Sequence, residues 1–69
     1  MEMTFGKSLR EIRLENSLTQ VQLAKKLGVT DSAIRHWETQ GREPDFKMLC
    51  NIAKILEVTV GQLLGVEEY

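Results

Sequence analysis

Apolar residues recur at helical spacing near the start of this 69-residue chain and predict a first helix there. The helix should run from about Thr4 to Asn16. Its inner stripe, at positions i, i+4 and i+7, consists of Phe5, Leu9 and Ile12. Lys7 and Arg10 then fall on the outer face of this helix, where they are either solvated or close to an anionic partner.

A similar stripe predicts a helix in the second half of the chain, beginning near Pro44 and Asp45. Proline suits the start of a helix, and aspartate can cap it or favour its first turn. The inner stripe of this helix would contain Phe46, Leu49, Ile52, Ala53 and Leu56. Thr59 can then cap a short last helix, Val60 to Leu64.

Between these two regions the chain predicts two short helices joined by a tight turn. Thr19 can cap the first of them, whose inner side would contain Val21, Leu23, Ala24 and Leu27. Gly28 follows directly and can adopt the left-handed conformation that ends a helix sharply. Thr30 is then in place to cap the second helix.

The second of these short helices separates apolar from polar residues. Ile34 and Trp37 lie three residues apart and should face inward. The outer side is left with Asp31, Ser32, Arg35, His36 and Thr39. With five helices predicted and no strand pattern, the expected fold class is all-α.

Length and composition indicate a single domain over residues 1–69. No apolar run approaches the roughly 20 residues of a membrane span, and the first ten residues lack the apolar centre of a signal peptide. We therefore expect a cytoplasmic protein. Cys50 is the single cysteine, which excludes an intrachain disulfide. We expect it to be a small helical residue, buried or half-buried.

The net charge of −1 is unusual for a protein that binds nucleic acid, but the charge is unevenly distributed. Residues 1–55 contain all nine lysines and arginines against seven acids, which gives +2, and residues 56–69 contain three acids, which gives −3. Affinity for DNA depends on cations placed at phosphates, so this total predicts weak nonspecific binding without excluding DNA as a partner.

The segment from Gln20 to Glu38 resembles the phage-repressor and Cro-type helix-turn-helix family, also called the xenobiotic-response-element type. The resemblance rests on Gln20, Ala24 and Gly28 at spacings of four, with the apolar Ile34 six residues beyond the glycine. It extends to Arg13, Glu38, Pro44, the spacing Ala53-x-x-Leu56-x-Val58, and the run from Leu49 to Gly65. It implies a compact five-helix domain with the helix-turn-helix at residues 20–39, in helices 2 and 3.

The family resemblance also implies roles for individual residues. Arg13 and Glu38 would form a partly buried ion pair between the first and third helices. Gln20 would donate to a DNA phosphate, while the third helix would lie in the major groove. The residues expected to contact base edges are Asp31, Ser32, Arg35 and His36. Those expected at phosphates are Gln20, Thr30, Thr39, Gln40 and Arg42.

Four of these positions allow other interpretations. Arg35 could reach a guanine or the DNA backbone, and Thr30 could lie near a phosphate or a thymine methyl group. Asp31 could accept a hydrogen bond from cytosine N4, or it could simply favour the helix dipole in the first turn. His36 could contact a base or phosphate, or it could be plain surface. It has no second histidine or nearby cysteine to suggest a metal site.

The chain departs from the family pattern at two helix ends. Where relatives commonly have glycine after the first helix, this chain has Asn16 and Ser17, so one of these two should adopt the left-handed conformation. Relatives also place glycine two residues after the glutamate, whereas here Gln40 stands there and Gly41 comes next. The path of the segment from Thr39 to Glu43 is therefore open.

The resemblance implies a homodimer bound to a pseudo-palindromic DNA operator, with an interface near the C-terminal helix. The residues expected there are Val58, Leu63, Leu64, Val66 and Tyr69. The alternative is that these residues only complete a small core. The leading hypothesis is a sequence-specific transcriptional regulator, a small prokaryotic or phage repressor. The alternative is a protein-interaction module of the same fold, such as an antitoxin bound to a toxin. We expect neither an enzyme nor a cofactor or metal, because no nucleophile–base pair, phosphate-binding glycine loop or ligand cluster appears.

Overall fold

The computed structural model describes residues 5–66, which form five helices and their connections. The helices are α1 (Phe5–Glu15), α2 (Gln20–Leu27), α3 (Asp31–Thr39), α4 (Phe46–Leu56) and α5 (Val60–Leu64). The described residues contain no strand, and the all-α prediction is confirmed. Thr4, where the first helix was expected to begin, lies outside the described residues. The longest helices have 11 residues, so within 5–66 none is long enough to cross a membrane.

Side-chain caps define where four of the helices begin. Thr19, Thr30, Asp45 and Thr59 each have extended backbone, and each accepts a hydrogen bond from the backbone N–H three residues later. These bonds satisfy amides that would otherwise lack a partner at a helix start. At Thr19 and Thr59, glutamine three residues on completes the capping box by accepting from the cap residue's own N–H. The three predicted threonine caps are therefore confirmed.

The helix ends explain how the chain does without a glycine after α1. Ser17 adopts the left-handed conformation with φ 59°, while the Asn16 side chain donates to the Ile12 carbonyl at 2.8 Å. The expectation that one of these two residues closes the helix is thus confirmed, with Ser17 as the left-handed residue. Gly28 ends α2 with φ 74°, as predicted.

The core is a single apolar cluster to which all five helices contribute. The first helix packs on α3 and α5, and α2 packs on α3 and α4, which also contacts α5. The buried apolar residues are Phe5, Leu9, Ile12, Leu23, Ala24, Ile34, Ile52, Ala53, Leu56 and Leu63. Burial of this cluster is the main favourable contribution to folding, since each large side chain adds about 1.5 to 3 kcal/mol.

Three core predictions are wrong, each for a positional reason. Val21 is 50% exposed because it lies in the first turn of α2, on the side away from Leu23. Phe46 is 72% exposed because it is the first residue of α4, and the buried residues of this helix lie in its second half. Cys50 is exposed because it lies about 100° around the helix from Leu49, outside the stripe.

One predicted dimer residue is also wrong. Leu63 is 0% exposed and belongs to the core, because α5 turns this side chain toward α1 and α4. A residue without exposed surface cannot form an interface unless the domain opens. Val58 and Leu64 are half-buried, Val66 is 77% exposed, and Tyr69 lies outside the described residues.

Candidate nucleic-acid interface

The direction of α3 is fixed by the turn that precedes it. The Gly28 N–H bonds to the carbonyls of Ala24 and Lys25, and the Val29 N–H bonds to the Ala24 carbonyl at 3.0 Å. These bonds satisfy carbonyls at the end of α2 and turn the chain sharply within three residues. Thr30 then starts α3 by accepting from the Ala33 N–H at 3.1 Å. The two helices are therefore held at a defined angle without a long loop.

The third helix has one buried side and one polar side, as the sequence predicts. Ile34 is fully buried, and Trp37 packs against the core while remaining partly exposed. Asp31, Arg35 and Thr39 recur every four residues and form an exposed line. Ser32 and His36 form a second, half-buried line beside it. The four expected base-contact residues therefore lie together on the outer side of α3.

These outer residues contact one another. The Arg35 Nη2 donates to the Ser32 Oγ at 2.9 Å, and the Arg35 Nη1 lies 3.6 Å from the Asp31 Oδ2. The Thr39 hydroxyl donates to the Arg35 carbonyl at 2.7 Å. Because a threonine hydroxyl has a single proton, Thr39 can donate to a phosphate only if this bond breaks.

Arg13 and Glu38 form an ion pair whose two side chains are nearly inaccessible, with exposed fractions of 7% and 1%. The Arg13 Nε donates to the Glu38 Oε2 at 2.7 Å, and its Nη2 donates to Oε1 at 3.0 Å. The remaining Arg13 nitrogen, Nη1, donates to the Leu18 carbonyl at 2.8 Å. A bidentate pair of this kind is geometrically specific. It joins α1, the segment before α2, and the end of α3.

Gln20 belongs to the same network, which the sequence did not predict. Its side-chain Nε2 donates to the Glu38 Oε1 at 3.0 Å. An amide nitrogen has two protons, so one remains for another acceptor. Gln20 is also the first residue of α2, where backbone N–H groups and the helix dipole favour an anion.

The segment after α3 explains the second departure from the family pattern. Gln40 ends the helix with φ −119°, a value that requires no glycine, and Gly41 adopts the left-handed conformation with φ 69°. The left-handed residue after α3 is therefore Gly41 and not Gln40. Gln40 and Arg42 are exposed. A shallow groove separates this segment from the start of α1, and Lys7 and Arg42 both line it.

Gly6 is a structural residue that the sequence analysis missed. A Cβ at this position would lie 2.5 Å from the Trp37 carbonyl oxygen and 2.9 Å from the Glu38 carbonyl oxygen. Both atoms belong to the backbone, so α1 can approach the end of α3 this closely only because residue 6 has no side chain. A glycine inside a helical pattern was the available signal.

The net charge of −1 arises from acids near the two ends of the sequence, because Glu2, Glu67 and Glu68 account for three of the ten acidic side chains. Residues 5–66 contain nine basic and seven acidic side chains, which gives +2. Within the same residues, no group of three histidine, cysteine, aspartate or glutamate side chains could hold a metal ion.

Comparison with known proteins identifies the family. A family model described as "Helix-turn-helix" matches residues 9–63. The HTH-type transcriptional regulator YqaE of Bacillus subtilis, itself uncharacterized, is 43% identical over 60 residues, which are 87% of this chain and 52% of that protein. The chain thus spans about half of that relative's length.

Two solved structures share the fold at 28% sequence identity. The P22 c2 repressor, crystallised with a synthetic operator, matches with a TM-score of 0.85 over 97% of this chain and 100% of that chain. Hydroxypropylphosphonic acid epoxidase from S. wedmorenis matches with a TM-score of 0.83 over 90% of this chain but 33% of its own. The same fold therefore also occurs as one part of an enzyme. By its family model, its five helices and its likeness to a phage repressor, this chain belongs to the helix-turn-helix family.

Proposed function

We propose that this chain is a DNA-binding transcriptional regulator, a repressor whose third helix reads the major groove. The observation that carries the proposal is the outer side of α3, where four polar side chains lie together at the start of a helix held firmly by the turn at Gly28. An α-helix fits the major groove, and residues near its N-terminus reach base edges. The likeness to a repressor crystallised with an operator supports the same role.

The proposed base contacts are made by Asp31, Ser32, Arg35 and His36. The proposed phosphate contacts come from the start of α2, from the residue that caps α3, and from the end of α3 and the segment after it. Gln20 offers one free amide proton and the N-terminus of α2, and Thr30 offers its hydroxyl proton. Gln40 and Arg42 follow α3 in exposed positions. Thr39 ranks last among the proposed phosphate contacts because its hydroxyl proton is used within the helix.

We further propose a homodimer that places two α3 helices about 34 Å apart, one turn of duplex, on a pseudo-palindromic site. The proposed interface contains Val58, Leu64 and Val66, and it excludes Leu63. Val66 has the largest exposed fraction of these, 77%, and an apolar side chain in that position gains by leaving water. We also propose that the protein is located in the cytoplasm, where a prokaryotic regulator meets DNA. Separately, we expect residues 1–69 to act as one domain.

The alternative, an interaction module such as an antitoxin, is favoured by two observations. The total charge is −1, and Phe46 and Val66 expose most of their apolar surface. A protein partner could cover these side chains in place of a second copy. In that case duplex DNA would bind weakly and without a preferred sequence.

Selection from a pool of random duplexes distinguishes the two functions. The repressor proposal predicts a preferred pseudo-palindromic site, with affinity that falls steeply between two salt concentrations. Fluorescence anisotropy should then show that Gln20→Ala weakens binding to all sequences alike, whereas Arg35→Ala changes which sequence is preferred. Lys54→Ala, which removes one cation from α4, is the charge-matched control and should keep the wild-type preference. No binding at low salt would refute the DNA function.

A further inference from the structure

Arg35 is held by two residues of its own helix, on the side of α3 that faces DNA in the proposed function. Ser32 accepts from the Arg35 Nη2 at 2.9 Å, and the Asp31 carboxylate lies 3.6 Å from Nη1. Both partners precede Arg35, by three and four residues. The guanidinium is therefore directed back along α3 toward its first turn, and it does not extend freely into solvent.

This direction matters because the first turn is the part of a recognition helix that approaches the bases. A free arginine side chain loses about 2 kcal/mol of rotamer entropy when it is fixed, and a side chain that is already restrained loses less. The guanidinium has five N–H groups. One donates to Ser32 and one faces Asp31, so at least three remain. That number is sufficient for two parallel bonds to a base.

Guanine is the base that matches these donors. Its O6 and N7 are adjacent acceptors in the major groove, and bidentate contact from arginine is the commonest specific protein–DNA contact. Adenine presents one donor and one acceptor at the same edge, so it cannot accept both bonds. A restrained guanidinium at the first turn of α3 therefore favours guanine.

We propose that Asp31 and Ser32, counted above among the base-contact residues, affect base recognition through Arg35 and not through base contacts of their own: they are positioning residues that hold Arg35 for bidentate recognition of one guanine in each half-site. The inference rests on the proposed DNA-binding function and assigns one base of its target. The inference also explains why an acidic residue, Asp31, lies on the side of α3 that would face DNA. The Arg35 charge compensates Asp31 in a pair that is about half exposed in the free protein.

The test begins with the duplex selected by the wild-type full chain. Affinities are measured for that duplex and for each of its single-base-pair variants, with wild type, Arg35→Ala, Asp31→Ala and the double variant. Arg35→Ala should lower discrimination at one G·C pair by about 10- to 100-fold. Asp31→Ala should lower it at the same pair by about three- to tenfold. The double variant should match Arg35→Ala, because Asp31 acts through Arg35.

Three further measurements separate positioning from a general structural role. Asp31→Ala should raise affinity for an unrelated duplex, since it removes a negative charge near phosphates, while Asp31→Glu should restore most of the lost discrimination. Ser32→Ala should weaken discrimination at the same pair as Arg35→Ala. A change at a different base pair would overturn the inference, as would an unchanged specificity profile for Asp31→Ala. If wild type selects a site but Arg35→Ala leaves discrimination unchanged at every G·C pair, the inference fails and the proposed function stands. If wild type selects no site, the proposed function fails together with the inference.

Discussion

Removing the Glu38 carboxylate should destabilise the domain severely. Glu38 accepts from the Arg13 Nε and Nη2 and from the Gln20 Nε2 at 2.7 to 3.0 Å, and its side chain is 1% exposed. Glu38→Ala would leave the Arg13 guanidinium buried without its counter-charge, a change that costs about 3 to 5 kcal/mol. At about 0.05 to 0.15 kcal/mol per residue, the whole domain has a stability of only about 3 to 10 kcal/mol.

The expected loss is therefore a large fraction of the total, and it is easily measured. Because 1 kcal/mol shifts the Tm of a domain of this size by about 4 to 8 °C, Glu38→Ala should lower the Tm by at least about 12 °C or abolish folding. Thermal melts by circular dichroism and urea titrations followed by Trp37 fluorescence would measure the change. Glu15→Ala, at an exposed position of α1, is the matched control.

A second variant shows whether the buried charge is the cause. Replacing both partners, Arg13→Leu with Glu38→Leu, removes the unpaired charge and should recover much of the lost stability, since apolar replacements of buried ion pairs are often neutral or better. A Tm for Glu38→Ala within about 3 °C of wild type would refute this account of the ion pair. So would a double variant less stable than Glu38→Ala alone.

Three further predictions concern the backbone around α3, and urea midpoints followed by Trp37 fluorescence measure all of them. Gly6→Ala should lower the free energy of unfolding by about 1 to 3 kcal/mol, because its Cβ would meet backbone oxygens and α1 would have to shift. A variant as stable as wild type would show that α1 can move away from α3 without loss of stability. Gly28→Ala should lower the free energy of unfolding by about 1 to 2 kcal/mol because alanine is strained at φ 74°. Steric overlap adds nothing, since no atom lies within 4 Å of the added Cβ, and Gly28→Asn should be less destabilising because asparagine tolerates positive φ better. Thr30→Ala should cost about 1 kcal/mol by removing the bond to the Ala33 N–H, and an unchanged midpoint would contradict its role as a cap.

Local rules were sufficient to predict most of the fold. Threonine caps and a glycine that can adopt positive φ act within a few residues, so Thr19, Gly28 and Thr30 could be assigned from the sequence. The helical stripe likewise identified Leu9, Ile52 and their neighbours as core. The stripe does not specify where the core ends, and for that reason Phe46 was assigned to the interior although it lies at its edge.

Contacts between distant residues were harder to predict. The Arg13–Glu38 pair joins positions 25 residues apart and was expected only because the chain resembles a known family. The bond from Gln20 to Glu38 and the close approach at Gly6 depend on the relative placement of three helices, which no local pattern encodes. The contacts of Arg35 with Asp31 and Ser32 follow helical spacing, but side-chain direction decides them.

The most direct test of a DNA-reading face on α3 is an NMR titration of ¹⁵N-labelled protein with the duplex that it selects. The expected result is that the largest shift changes fall on amides from Thr30 to His36 and at Gln20, while amides of α5 that face α1 change little. Changes concentrated on α4 and α5, with α3 unaffected, would contradict the assignment of this face to DNA.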